Sequence, residues 1–266
     1  MTTMSALEIS GDRPASGLLR VLRNLTMNWA GMVILALIWE GVGHLIHQPW
    51  LPPLSTVLVR MVQLFTTGGL SQHLVASLTS LAVGFLIALV IGLVVGVLMG
   101  LFNSVYAALD VYVNAMLFTP GLIFAPILFA IFGLSDATRV SVVVIYAVFI
   151  IIINTAAAVR NVERPLIEMA ASYGASRTTT VFRIVLPDAL PLIIAGLRMG
   201  VGRAVKGMVN GEMFIALIGI GGQAARYGKQ FDFTSVWAIS VFIMALAVAI
   251  NQVMTWLEKR ATAWVD

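Results

Sequence analysis

Six long apolar runs limit what this chain can fold into. They cover residues 27–46, 74–101, 107–132, 140–159, 190–218 and 236–257, each close to the roughly 20 residues that a helix needs to cross a bilayer. Hydrophobic residues make up 60% of the 266 residues and charged residues only 11%, which is too apolar for a water-soluble domain to bury. The sequence therefore predicts an all-α membrane protein with six transmembrane helices.

The segments around these runs predict the domain organisation. Residues 1–26 are mixed and polar, so we expect an N-terminal tail followed by a membrane domain over residues 27–266. The connector at 52–69 has helical apolar spacing, which predicts a short amphipathic helix at the membrane interface. Pro120 and Pro126 interrupt the third run, where they can open or kink the helix. In the second run, small residues recur every four positions at Gly84, Ala88, Gly92, Gly96 and Gly100, which predicts a surface for close helix packing.

The distribution of Lys and Arg predicts the orientation of the chain, because cytoplasmic loops of membrane proteins carry an excess of them. With the N-terminus inside, the cytoplasmic segments hold nine basic residues and the opposite side holds four. The nine are Arg13, Arg20, Arg23, Arg160, Arg164, Arg177, Arg183, Lys259 and Arg260, and the four are Arg60, Arg139, Arg226 and Lys229. We therefore expect both termini, and the polar segment at about 160–189, in the cytoplasm.

The polar segment itself has the signals of two short helices. Pro165 suits a helix start, Glu168 is expected in the first turn, and Gly174 is a natural stop. A second short helix is expected over 178–185, with a break near Pro187. Two interpretations stay open on these signals: an ordinary amphipathic loop, or an element that docks on another protein.

The spacing of this segment resembles a known family motif. Glu168-Met169-Ala170, three residues, Gly174, nine residues, then Ile184-Val185-Leu186-Pro187 is similar to the EAA loop of bacterial ABC-importer permeases. The family form has alanine where this chain has Met169, and the other signature positions match. Outside the loop, the chain resembles the nitrate/sulfonate/taurine-type branch at Trp39-Glu40, Leu51-Pro52-Pro53, Gly196-Leu197-Arg198, Gly202-Arg203 and Glu212-Met213.

The resemblance implies a type I ABC-importer permease in the bacterial inner membrane. Its loop would form a coupling helix that sits in a cleft of a cytoplasmic ATPase subunit. Two ATPase subunits, an extracytoplasmic solute-binding protein and a second permease copy are the implied partners, and a sulfonate, nitrate or aromatic acid is the implied kind of solute. The docking residues carried over from the motif and its neighbours are Glu168, Ala170, Ala171, Ser172, Gly174 and Ala175.

No nucleotide or metal site is expected in this chain. The nearest approach to a phosphate-binding loop, Gly222 to Gly228-Lys229-Gln230, has five intervening residues and no hydroxyl for magnesium. The three histidines have no second cluster of ligands beside them. We therefore expect a translocation subunit without enzymatic activity, with ATP and magnesium bound by the partner ATPase.

Charged side chains within the fifth run mark a candidate translocation path, because intramembrane charges usually face a partner or a water-filled cavity. Arg203, Lys206 and Asn210 share one helix face, and Glu212 follows them. One interpretation is a lining that suits an anion. The other is structural, with Arg203 or Lys206 paired to Glu212 or to Glu40.

An ion-gradient-driven secondary transporter or channel is the alternative function. Such carriers often contain paired internal repeats with broken helices at matching positions. The two halves of this sequence show no convincing duplication, so the importer permease is the leading hypothesis.

Overall fold

The computed structural model describes residues 16–215 and 218–262, with side chains described from residue 30 onward except at 215–217. Within these ranges the chain is helical and contains no strand, as predicted. The helices are α1 (Ser16–Ile46), α2 (Leu54–Thr66), α3 (Leu70–Leu101), α4 (Asn103–Phe118), α5 (Ala125–Phe132), α6 (Asp136–Arg160), α7 (Arg164–Ser172), α8 (Arg177–Thr180), α9 (Leu186–Ile215), α10 (Ile220–Lys229) and α11 (Phe233–Ala261).

The chain divides into two compact units, one up to Leu58 and one from Val59 onward. In the first unit, a polar contact connects α1 to the start of α2. The Glu40 carboxylate accepts hydrogen bonds from the Ser55 N–H at 2.9 Å and from the Ser55 hydroxyl at 2.7 Å. Trp39 Nε1 donates to the Pro52 carbonyl at 3.1 Å. The predicted amphipathic helix at 52–69 is therefore present as α2, and its first turn is fixed by α1.

Four helices within the described residues are long and apolar enough to cross a membrane: α3, α6, α11 and the run Arg177–Phe214 that contains α9. A fifth span exists if the bent pair formed by α4 and Gly121–Phe132 counts as one. The first predicted span, residues 27–46, lies within α1 (Ser16–Ile46), of which the apolar part with described side chains is Ala30–Ile46. The number of six spans therefore stays a prediction.

The third predicted span is opened between α4 and α5, where the two parts are bent by 96°. Pro120 has no N–H to continue α4, and a short 3₁₀ turn at Gly121–Phe124 follows it. The Tyr146 ring lies where a side chain at Gly121 would be, with the ring only 2.6 Å from an added Cβ. The helix pair is thus a broken span or a re-entrant loop.

Helix α6 lies against a row of glycines on α3. Each glycine faces a β-branched side chain of α6, so closely that an added Cβ would lie 2.5 to 2.6 Å from it. The pairs are Gly84 with Val143, Gly92 with Ile151, Gly96 with Thr155 and Gly100 with Val159. The residue numbers rise together on both helices, so α3 and α6 run parallel. The glycine repeat in the second predicted span is thereby confirmed as a close packing surface.

Helix α9 packs against α6 from another side through a second row of glycines. These pairs are Gly196 with Asn154, Gly200 with Ile151, Gly207 with Tyr146 and Gly211 with Val142. Here the numbers run in opposite directions, so α6 and α9 are antiparallel. Ile151 is completely buried between the two rows, and α6 is the most buried of the membrane-length helices.

We predict that Gly92→Ala destabilises the chain, because the added methyl group would collide with the branched side chain of Ile151. Overpacking of this kind costs about 1–3 kcal/mol. Thermal unfolding of the purified chain in detergent measures the effect. Gly202→Ala is the matched control, because no atom from another part of the described chain lies within 4 Å of its added Cβ and alanine favours the helix. Equal melting temperatures for the two variants would contradict the packing described here.

Candidate functional site

Helix α7 has the start and the end that the motif predicts. Pro165 lies in its first turn, and Gly174 follows it with a φ of +76°. The Gly174 N–H donates to the Ala171 carbonyl and the Ala175 N–H donates to the Ala170 carbonyl, both at 3.0 Å, which is the Schellman arrangement of a helix C-terminus. Glu168 lies in the second turn and not, as predicted, in the first, because the helix already begins at Arg164.

The chain then enters α9 without the predicted break near Pro187. Ser176 caps α8 by accepting a hydrogen bond from the Thr179 N–H at 3.2 Å. A π-helical turn at Val181–Val185 joins α8 to α9, and the Leu186 N–H donates to the carbonyl of Val181, five residues back. The prediction of a break was wrong because the wider turn changes the hydrogen-bonding register just before Pro187, where the missing N–H would otherwise interrupt the helix.

The six predicted docking residues do not all face outward. Glu168, Ala171, Ser172 and Gly174 are exposed, and Ala175 is half-buried, whereas Ala170 is buried within the chain. Two exposed apolar side chains lie beside them, Met169 at 52% and Tyr173 at 87% exposure. Sequence reasoning treated Met169 only as a departure from the motif and missed Tyr173, although an aromatic residue in a polar loop is a usable signal. We call the five outward residues with Met169 and Tyr173 the docking face.

An apolar cluster attaches this segment to the membrane helices. Val185 of the π turn and Ala189 and Ile193 of α9 pack with Val159 and Val162 at the end of α6. All five side chains are buried. The docking face is therefore connected to α6 and α9 through a packed core, which couples its position to theirs.

A cavity of about 540 Å³ lies between α9 and α11. Lys206 and Asn210 line it from α9, and Asn251 lines it from α11. The Asn210 amide donates to the Tyr146 hydroxyl at 3.0 Å, so α6 contributes to the lining as well. Tyr146 and Asn251 were missed by sequence reasoning, although each is a polar group within an apolar run.

Arg203 lines a second, smaller cavity of about 180 Å³ at the break between α4 and α5. Tyr146 belongs to the lining of both cavities, so the two are neighbours. The residues that line them include Arg198, Arg203 and Lys206 but no carboxylate.

Only one of these cations is neutralised. Arg198 forms an ion pair with Glu258 of α11 at 3.0 Å. Arg203 and Lys206 are exposed, and neither has a carboxylate within 4.0 Å among the described residues of the second unit. The structural alternative of pairing with Glu212 is thus not found, and the cavities carry excess positive charge.

Glu212 differs from the other three path candidates in its surroundings. It is completely buried and lines neither cavity. Its Oε2 atom accepts a hydrogen bond from the Gly221 N–H at 3.0 Å, so it contacts the start of α10. We therefore separate Glu212 from the candidate path residues Arg203, Lys206 and Asn210.

The family model described as "Binding-protein-dependent transport system inner membrane component" matches residues 88–263. The chain belongs to this family. Similar relatives are the taurine transport system permease protein of Escherichia coli, 28% identical over 91% of this chain and 90% of the relative, and the putative aliphatic sulfonates transport permease protein of the same organism, 33% identical over 87% and 89%. A riboflavin transport system permease protein of Chloroflexus aurantiacus is 31% identical over 88% of each chain.

The fold of this permease is also that of a solved transporter. Inward-facing structures of the MetNI methionine ABC transporter match it with a TM-score of 0.63 at 21% identity, covering 70% of this chain and 93% of that chain. A second crystal form matches with a TM-score of 0.59 at 22% identity, covering 77% and 96%. The predicted ABC-importer permease architecture and the resemblance to the sulfonate and taurine branch are confirmed.

Proposed function

We propose that this chain is the translocation subunit of an ATP-driven importer for a small anion delivered by a solute-binding protein. The observation that carries the proposal is a single helical connection. The docking face leads through the π turn into α9, and α9 bears the unpaired cations Arg203 and Lys206. Helix α9 thus connects a surface suited to binding an ATPase subunit with a cavity suited to binding a solute.

The docking face supports a cytoplasmic ATPase as partner. It combines small residues, which allow close approach, with the exposed apolar side chains of Met169 and Tyr173. Nine basic residues against four favour the cytoplasm for this side and for both termini. Two ATPase subunits would therefore bind ATP and magnesium. Their closure on each other would move α7.

The cavities support an anion as the solute. Positive charges without a neighbouring carboxylate are costly in a membrane unless they meet water or an anion. Arg203 and Lys206 are exposed on a single chain, so a second copy facing them would enclose the path, and we propose a homodimer. Sulfonate groups, nitrate and aromatic carboxylates carry the negative charge that this lining would attract.

The 96° break between α4 and α5 favours a second candidate, an ion-gradient-driven carrier, because such carriers use discontinuous helices at their substrate sites. Uptake of radiolabelled taurine into vesicles distinguishes the two. The importer requires ATP, the ATPase subunit and the binding protein. Uptake that continues without the ATPase and follows a proton or sodium gradient would establish the carrier instead.

We predict that Gly174→Leu uncouples ATP hydrolysis from uptake. Apart from its two chain neighbours, no atom of the described residues lies within 4 Å of a Cβ at Gly174, so a bulky side chain there would meet the partner. Overpacking by about 1–3 kcal/mol at the interface should lower ATP-dependent uptake by about tenfold or more. Uptake and ATPase activity are measured together in reconstituted vesicles.

Gly69→Leu is the matched control for this variant. Gly69 also has a positive φ, +66°, and open space around its Cβ position, so the backbone strain is similar. It precedes α3, at the opposite end of the bundle from the docking face. Equal losses of coupling in both variants would assign the effect to strain and refute the docking face.

We predict that Arg203→Gln combined with Lys206→Gln lowers anion uptake by about tenfold or more, because the attraction of the cavity for an anion is lost. Binding of the ATPase subunit, measured by co-purification, should not change. Lys229→Gln is the control, since this exposed lysine at the end of α10 lines neither cavity. Unchanged uptake kinetics in the double variant would make both charges structural.

A further inference from the structure

Helix α10 joins the two helices that line the larger cavity. It begins just after α9 and ends just before α11, and it packs against both. It lies at the end of α9 opposite the docking face, because α9 runs from the π turn to Ile215. Any displacement of α10 therefore acts at the end of the cavity farthest from the proposed ATPase.

Three side chains from other helices hold the start of α10. They accept hydrogen bonds from three consecutive backbone N–H groups, which a helix N-terminus cannot satisfy by itself. The Gly219 N–H donates to His73 Nδ1 at 3.2 Å, the Ile220 N–H to Ser77 Oγ at 2.9 Å, and the Gly221 N–H to Glu212 Oε2 at 3.0 Å. We call this arrangement the α10 seat.

The α10 seat is closely packed as well as hydrogen-bonded. A Cβ on Gly219 would collide with the Glu212 carboxyl, and a Cβ on Gly221 would lie 2.5 Å from the Val209 carbonyl. Ser77, Glu212 and Ile220 are completely buried. Water therefore cannot replace the hydrogen bonds of Ser77 and Glu212 unless the first turn of α10 moves away, whereas His73 is half-buried at the edge of the seat.

His73 is the member of the seat whose hydrogen bonding depends on its protonation state. Nδ1 accepts from Gly219, so it carries no proton in this arrangement. The neutral ring then holds its proton on Nε2, 3.0 Å from the side-chain amide of Gln223, whose oxygen accepts it when the amide is turned. A protonated ring has N–H groups on both nitrogens. The Nδ1–H group would then face the Gly219 N–H, and the hydrogen bond between them would be lost.

The charged groups around His73 do not stabilise its protonated imidazole. Arg226 of α10 acts on the imidazole by its positive charge, which disfavours a second cation. Glu212 of α9 is already engaged with Gly221, and Arg139 of α6 acts on this carboxylate by its charge. Arg139 itself is paired with Asp136. The second oxygen of Glu212, Oε1, has no hydrogen-bond partner, but no carboxylate of the described residues lies within 4.0 Å of a His73 ring nitrogen.

We propose that His73 is a positioning residue that keeps α10 seated only while its imidazole is neutral. Mild acid on the side of the membrane opposite the docking face would then release the first turn of α10. Imidazole is the side chain that ordinarily changes charge between about pH 5 and 8. The seat rests on geometry alone, whereas its effect on solute passage rests on the proposed function.

Cysteine labelling tests the proposal, because the natural chain contains no cysteine. Ile220→Cys reports on the buried first turn of α10, and Lys229→Cys reports on its exposed last turn. Each full-length variant is expressed with its ATPase and labelled with a maleimide in permeabilised membranes. The labelling rate of Ile220→Cys is divided by that of Lys229→Cys, so that the effect of pH on thiol reactivity cancels in the ratio. We expect this ratio to rise about fivefold or more from about pH 8 to about pH 5.5, as for loss of a buried hydrogen bond.

Two further backgrounds assign the effect to His73. His73→Asn keeps an acceptor near the position of Nδ1 but does not titrate, so the rise with acid should disappear. His44→Asn combined with His47→Asn leaves His73 as the chain's one remaining histidine, and the rise should persist. A constant ratio in the natural background, or an undiminished rise in the His73→Asn background, would overturn the proposal.

Labelling does not require transport, so the two proposals fail separately. If the ratio responds to pH as expected while ATP-dependent uptake is absent, the seat stands and the importer function falls. If uptake occurs but the ratio is constant, the importer function stands and the role of His73 falls.

Discussion

The packing of α6 between two rows of glycines is the interaction on which the rest of the structure depends. Within a membrane, helices gain little by leaving lipid for one another, so close backbone approach must supply the attraction. Here the glycines of α3 and α9 leave gaps on the helix surfaces, and side chains of α6 such as the branched Ile151 fill these gaps. The order of the paired residues shows that α3 runs parallel and α9 antiparallel to α6.

The functional features are located at the two ends and one side of this packed centre. The apolar cluster around Val162 and Val185 attaches the docking face at one end. Glu212 and Ser77 hold α10 at the other. Tyr146, which fills the gap at Gly207, contributes to the lining of both cavities. The same residues thus provide packing and position the polar groups.

Local sequence signals predicted the features that depend on a few neighbouring residues. The spacing of Gly84, Gly92 and Gly100 indicated a packing surface, and Gly174 indicated the end of α7. The π turn was not predicted because Pro187 normally marks an interruption and nothing nearby signals the wider turn. The size of the break after Pro120 depends on where the Tyr146 ring packs, which is a contact between residues distant in sequence.

The same reasoning explains why Glu212 was assigned to the path. A carboxylate within an apolar run predicts a partner or a cavity, but the sequence does not tell which. Its partner is a backbone N–H of Gly221, and a backbone group leaves no signature in side-chain patterns. His73 was missed for a related reason, since its contacts with α10 join residues almost 150 positions apart.

The unbroken helical path through α9 has a mechanical consequence. A helix of this length, from Leu186 to Ile215, extends about 45 Å. A rotation of about 5° at its first turn would displace its last turn by about 4 Å at that length, which exceeds the reach of a hydrogen bond. Glu212 lies in that last turn, so its hydrogen bond to the Gly221 N–H would pass such a displacement on to the start of α10.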